Sequence, residues 1–216
     1  MIYNVITPMN RPENIENMIE MLRPKNVQWH VITDLDSEYK YSFNESWINH
    51  HICPNFKEAK FFEKCNNAMN WCLENTPIYD DQMYCFLNDD DAVEPTFFEK
   101  VTTVLKKAKD QGIDAQVVIP SMDRGQRTPL DVKEPRMHPP GLLVADPNNV
   151  KVGGLGLEQI VMKGSLINEK KYRFPLHVWG DGMFIVRVIR ENLDNTIFCP
   201  NIHAWFNYFE PGRWDK

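Results

Sequence analysis

The sequence predicts an α/β fold: a mostly parallel central sheet flanked by helices, with a less regular lobe in its second half. Three observations predict it. Short apolar runs alternate with longer amphipathic stretches from Ile2 to Ile119, the pattern of strands joined by crossover helices. No internal repeat interrupts that alternation. At 216 residues, 43% apolar and 25% charged, the chain is long enough to bury a core as a single domain.

The elements follow in order. Ile2 to Thr7 reads as a strand ending at Pro8. Pro12 sits just inside a helix start, and Ile15, Met18, Ile19 and Leu22 then recur at helical spacing up to Pro24. Trp29 to Thr33 is a second strand, finished by Asp34, and Trp47 to Ile52 a short third. Phe62, Cys65, Met69 and Cys72 mark a long helix stopped at Thr76-Pro77. Met83 to Leu87 is a buried strand running into Asn88 and three aspartates. A helix opens at Pro95, turns Phe98, Val101 and Leu105 inward and ends at Gly112. Val117 to Pro120 is a strand, Gln159 to Met162 another, and Phe184, Ile185, Val188 and Ile189 mark a last helix. Thr196 to Cys199 is a strand leading to Asn201–Phe206.

The densest chemistry is Asp89-Asp90-Asp91. Three adjacent anions repel one another unless something positive sits among them. On an extended segment Asp89 and Asp91 point one way and Asp90 the other. Two carboxylates aimed at one point suit a hard divalent cation, Mg²⁺ or Mn²⁺, and strand carboxyl ends are where α/β sheets bind ligands. An N-cap role for Asp91 or Glu94 accounts for one acid or two, not for three behind a buried strand.

Beyond Pro120 the pattern thins. Residues 121–157 carry five prolines, at positions 129, 135, 139, 140 and 147, and little periodicity, which suits a mobile loop or lid. Its cations Arg124, Arg127, Lys133 and Arg136 either face anionic substrate or are simply solvated. Gly153-Gly154-Leu155-Gly156 is not a dinucleotide fingerprint, because Gln159 stands at the third glycine position and a strand follows. Flexibility, or close approach of backbone to a ligand, is the better use of those glycines. Asp181, between Gly180 and Gly182 and beside Trp179, is either an N-cap or a positioned base. His203, in an apolar run, is either a core histidine or a further metal ligand to the carboxylates.

Composition excludes other classes. A net charge of −6 argues against nucleic acid or an anionic membrane as partner. No segment approaches the roughly 18 apolar residues of a membrane span, and the first residues carry no basic signal-peptide region. Cys53, Cys65, Cys72, Cys85 and Cys199 fall at no metal-like spacing and are odd in number, which suits reduced thiols in a cytoplasmic protein.

Taken together, strand-Thr-Pro-x-x-Arg-Pro, strand-Asp, a helix bearing Lys-Cys-Asn-Asn-Ala-Met-Asn-Trp, strand-Asp-Asp-Asp, Gly-Asp-Gly and a late His resemble the nucleotide-diphospho-sugar glycosyltransferases of the GT-A fold. The likeness is to bacterial SpsA-like inverting transferases and to β-1,3-glucuronyltransferases. It covers Ile2 to about Lys106 well, and afterwards rests on Gly-Asp-Gly and His203.

The resemblance implies a single Rossmann-like domain, with a nucleotide-binding half over 1–120 and an acceptor-binding half over 121–216. It implies nucleotide contacts at Thr7, Pro8, Arg11, Asp34, Lys64, Asn66, Asp89 and Asp90, Asp34 accepting from the base as in a UDP-sugar. Asp89, Asp91 and His203 are the metal candidates for Mn²⁺ or Mg²⁺, Asp91 foremost. Asp181 matches the catalytic aspartate. The sequence departs from the family at Cys65, where an arginine is usual, and at Gly180, where the aspartate's glutamate partner stands.

The expected reaction is sugar transfer to a glycan or other hydroxyl acceptor. Asp181 acts as general base, and direct displacement gives inversion. Two rivals remain: a nucleotide-sugar-binding protein without turnover, and a haloacid-dehalogenase-like phosphatase using Asp89, since Asp89-Asp90-Asp91-Ala92-Val93 fits that family's nucleophile motif. The aromatic tail from Trp205 to Trp214 leaves packing over the site, or against a second subunit, open.

Overall fold

A computed structural model describes residues 1–23, 26–34, 43–54, 61–123, 142–206 and 208–209. The cations at 124, 127, 133 and 136 lie outside these residues.

Strand β1 (Tyr3–Pro8) leads through a 3₁₀ turn (Pro12–Asn14) into α1 (Ile15–Leu22). Its apolar stripe is the one the spacing predicts: Ile15, Met18, Ile19 and Leu22 are buried. Then come β2 (Val27–Asp34), β3 (Ile48–Cys53), α2 (Phe61–Asn75), β4 (Met83–Phe86), β5 (Ala92–Val93) and α3 (Phe97–Asp110). Gly112 closes α3 at φ +76°, a left-handed conformation that favours glycine. The second half holds β6 (Val117–Asp123), β7 (Leu142–Leu143), β8 (Val161–Lys163), α4 (Gly164–Lys170), α5 (Gly180–Glu191) and β9 (Thr196–Trp205).

The strands form one sheet in the order β3-β2-β1-β4-β8-β6-β9-β5, with β7 on β6. β1, β2, β3 and β4 are parallel, and β6 and β9 run the same way. The short strands β5, β7 and β8 run opposite. Both faces are covered, which is why the central strands read as continuous apolar runs. Tyr3, Val5, Met83 and Cys85 pack on α1 and α3. Ile6, Tyr84 and Phe86 pack on α2, α4 and α5.

Several expectations are corrected. β4 ends at Phe86, and Asn88 to Asp91 form a turn closed by the Asp91 N–H donating to the Asn88 carbonyl (3.2 Å). The alternation of Asp89 and Asp91 that an extended strand imposes therefore does not apply. α3 starts at Phe97 rather than Pro95, and its N-cap Thr96 makes no side-chain cap bond. Glu94 instead accepts from Lys100 Nζ (2.5 Å) and the His203 backbone N–H (2.9 Å).

Residues 121–123 continue β6 rather than opening a loop, and Leu142–Leu143 pair with them. The last strand runs unbroken through Pro200, absorbing the irregularity as a register shift opposite Pro120 and Ser121. α4 is only seven residues long, too short a run for helical spacing to mark it. Gly164 is required by contact: a Cβ there would lie 2.1 Å from the Tyr79 carbonyl.

Candidate active site

Parallel strands β1, β2, β4, β6 and β9 deliver their carboxyl ends to one edge of the sheet. β8 enters antiparallel beside β4, so the residues before it, Leu157–Gln159, arrive at that same edge. The site is built there.

The cation among the aspartates is Arg11. Its guanidinium pairs with Asp89, and Nη2 lies 3.1 Å from Asp90 Oδ2. Backbone N–H groups of Asn10 and Arg11 donate to the other oxygen of Asp89, and Asn14 Nδ2 donates to its carbonyl (3.0 Å). Asp89 thus ties the β1 loop to the end of β4. With both oxygens engaged, it is not poised as the nucleophile of a phosphatase.

Cys65, on α2, receives Asn10 Nδ2 at 3.4 Å. Burial and the neighbouring Asp89 charge push its thiol up to about 12, so it stays protonated. The small cysteine leaves the positive charge to come from the β1 loop instead of the helix. Burial also raises Asp89 against the pull of Arg11. It raises Asp90 further, because Asp91 adds like charge.

Asp91 faces elsewhere. Asn88 Nδ2 donates to Asp91 Oδ2 (3.0 Å) and to Glu158 Oε1 (3.2 Å), and the Asp91 and Glu158 side chains are themselves hydrogen-bonded. Two carboxyls in contact need a proton or a cation between them. Glu158 is raised by burial, eased by Asp91, and raised again by the charges of Asp181 and Asp90. Its Oε2 is buried without a hydrogen-bond partner among the described residues. Glu158 therefore sits against the aspartate turn, within the field of the Asp181 charge. Sequence reading missed it; the one signal was a glutamate in the apolar lead-in to β8, after a glycine whose Cβ would lie 2.7 Å from the Glu158 carboxylate.

The other expected residues have definite places. Thr7 Oγ1 accepts from Trp29 Nε1 (3.0 Å) and is fully buried, so its hydroxyl serves the core. Pro8 ends β1. Asp34 ends β2, and its buried Oδ1 has no hydrogen-bond partner among the described residues. Lys64 lies on α2 and forms no ion pair among the described residues.

Asn66 is buried and donates to the carbonyls of Pro175 (3.2 Å) and His177 (3.3 Å), while Asn70 clamps Phe174 through both its amide atoms. Together they fix the approach to α5, whose first turn carries Asp181. Gly180 follows from that clamp. A Cβ there would meet the Pro175 carbonyl at 2.0 Å and Asn66 Nδ2 at 2.4 Å, so no glutamate fits the position.

His203 lies on β9, its backbone bonded to Glu94. It does not join Asp89 and Asp91 as a group of three converging ligand atoms among the described residues. Phe209 N–H returns to the Asp90 carbonyl (3.1 Å), so the described part of the tail packs on the aspartate turn.

No protein-family model matches the sequence, and no curated protein matches it. Solved structures do. Residues 1–349 of S. aureus TarS superpose with a TM-score of 0.55 at 14% identity, over 96% of this chain and 58% of that one. The same protein in complex with UDP gives 0.52 at 13%, over 96% and 58%. The 4-diphosphocytidyl-2C-methyl-D-erythritol synthase of Anaerococcus prevotii gives 0.50 at 10%, over 97% and 90%. The chain has a Rossmann-like α/β fold of the GT-A class. At these identities the likeness is one of fold, and this chain spans 58% of the TarS chain it matches. Among the described residues, no helix is long and apolar enough to cross a membrane.

Proposed function

We propose that this GT-A chain is a metal-dependent glycosyltransferase. It moves a sugar from a nucleotide-diphosphate donor, a UDP-sugar, to an acceptor hydroxyl with inversion at the anomeric carbon. One observation carries the reading: at the strands' carboxyl edge Asn88 bridges Asp91 and the buried Glu158, whose Oε2 has no partner among the described residues, and the charge of Asp181 bears on that same carboxyl.

The donor set fits a hard divalent cation, Mn²⁺ or Mg²⁺, at Asp91 and Glu158, because a dry carboxyl pair with an orphaned oxygen lacks a positive charge. Asp89 fits it poorly, being spent on Arg11 and two backbone N–H groups. When bound, such a cation offsets the negative charge that builds on the departing diphosphate. Asp34 offers its buried Oδ1, which has no partner among the described residues, to an N–H of the base. Asp181 takes the proton of the acceptor hydroxyl. Around it Val152, Leu176, Val178, Trp179 and Met183 are exposed, an apolar surface on which a sugar face can stack. The free state of all five cysteines fits a reducing, cytoplasmic setting.

Thermal-shift measurement against uridine, guanosine and cytidine diphosphates, with and without Mn²⁺, tests the reading. A ligand at about 100 times its Kd stabilises the native state by about 2.7 kcal/mol. Stabilisation by uridine diphosphate that disappears with chelator is expected. No shift by any nucleoside diphosphate in Mn²⁺ overturns the proposal.

A second reading, nucleotide-sugar binding without turnover, is favoured by the engagement of Asp89 and Asp90 with Arg11 and by Gly180 in place of an acid. It keeps the thermal shift and gives neither transfer nor donor hydrolysis.

A further inference from the structure

A second cluster, separate from the acidic edge, lies under α2 along the middle of β2 and β3. His30 on β2 is four residues before Asp34, about 13 Å along the strand. Its ring lies nearly parallel to that of His51 on β3, at 8° and 5.2 Å between centroids. His30 Nδ1 is 3.0 Å from His51 Nε2. Cys72, in the last turns of α2, completes the group: one ligand atom from each of the three lies within 4.8 Å of the others. Among the described residues no other set of three His, Cys, Asp or Glu side chains converges in this way.

The hydrogen bonding around the cluster fixes which atoms are free to bind. Asn4 Nδ2 donates to Gln82 Oε1 (2.8 Å) and to the Met83 carbonyl (3.5 Å), so Asn4 Oδ1 is an acceptor. His30 Nε2, 3.1 Å from that oxygen, must then carry the ring proton and donate it. Nδ1 of His30 is left as a lone pair facing His51 and Cys72. An outer acceptor that holds one ring nitrogen and turns the other inward is how metal-bound imidazoles are oriented.

We propose that His30, His51 and Cys72 form a second cation site, selective for a borderline-soft divalent ion of the Zn²⁺ type. Two imidazole nitrogens and a thiolate sulfur are ligands such an ion takes and Mg²⁺ or Mn²⁺ does not. The spacing is close to what is needed. With bonds of roughly 2.0–2.1 Å to nitrogen in a tetrahedral site, two ligand nitrogens stand roughly 3.3 Å apart.

Both imidazoles are part-exposed, which gives the ion a path and a solvent ligand, whereas the Cys72 sulfur closes the inner side. Burial holds His30 down to about 4 and keeps His51 below its ordinary value, so neither ring must shed a charge to bind. On binding, the Cys72 thiol releases one proton to solvent, and the His51 proton moves from Nε2 to Nδ1. The bound ion ties β2, β3 and α2 together at the edge of the sheet, remote from the reacting groups.

The full chain, stripped with chelator, is titrated with Co²⁺ and separately with Zn²⁺. Bound metal is measured after gel filtration, and the thiolate-to-Co²⁺ charge-transfer band is followed by absorbance. One ion per chain and a thiolate band are expected. Cys72→Ser abolishes the band, and His51→Ala removes the stoichiometric Zn²⁺. Asn4→Ala weakens binding roughly 10–100-fold, as loss of an outer hydrogen-bond partner does, and Asn4→Asp, which keeps the acceptor, restores it. Asp91→Asn leaves both signals intact, which separates this site from the proposed catalytic cation. A wild-type chain without a thiolate band, or Zn²⁺ retention unchanged by Cys72→Ser and by Asn4→Ala, overturns the proposal. The Asn4 pair decides the matter even where a histidine variant fails to fold.

Discussion

Replacing Glu158 by glutamine gives the most direct reading of the acidic edge. In the absence of a divalent cation, Glu158 and Asp91 share a buried contact, and Glu158 Oε2 has no partner among the described residues. Two carboxylates about 4 Å apart repel by about 4 kcal/mol at a protein-like dielectric constant of about 20. A buried unsatisfied polar group costs about 1–3 kcal/mol. Proton uptake relieves the repulsion at low pH, because the Glu158 carboxyl lies above its usual range.

The sign follows from linkage. A raised carboxyl favours folding below its native pKa, and that contribution is lost as pH rises through it. Glu158→Gln supplies a permanent donor to Asp91, so the variant is more stable than wild type by about 2 kcal/mol at pH 8. For a chain of this size that is a rise in Tm of about 4–8 °C. The gain shrinks at pH 5. Urea unfolding and thermal melts of both proteins in chelator, at pH 5 and pH 8, measure it. A variant less stable than wild type at pH 8, or an equal difference at both pH values, would falsify the shared-proton description. Mn²⁺-dependent stabilisation by uridine diphosphate is lost in the same variant.

Three further outcomes follow from the same geometry. Asp181→Asn leaves nucleotide-dependent thermal stabilisation close to wild type and lowers transfer by at least about 100-fold, the scale of a lost general base; unimpaired single-turnover transfer removes Asp181 from that role. Arg11→Ala leaves Asp89 and Asp90 buried without their cation, which costs about 3–5 kcal/mol by chemical denaturation; the loss is smaller in acid, where the two carboxyls protonate. His30, held at about 4 in the fold against about 6.5 when unfolded, contributes stability that is lost as pH falls from about 6.5 toward 4. That contribution is up to about 3 kcal/mol, and the slope over that window is reduced in His30→Asn.

The first half was legible because local patterns and tertiary roles agree there. The apolar positions of α1 and α3, the parallel strands from β1 to β4 and the glycine that closes α3 all follow from periodicity and turn chemistry. The second half was less legible because its strands owe their form to neighbours. β8 is three residues long and is a strand because β4 and β6 flank it. β9 passes through a proline because β6 takes up the register shift.

What the sequence by itself determined is the α/β alternation and the placing of three aspartates behind a buried strand, since both rest on the order of side chains along a short stretch. Tertiary structure decided which acids meet. Arg11 stands between Asp89 and Asp90 because the β1 loop folds back on the end of β4. Glu158 reaches the aspartate turn because an antiparallel strand enters beside β4. The His30, His51 and Cys72 group has no spacing signature at all, because its members come from three elements brought together only by the crossover of α2 over the sheet.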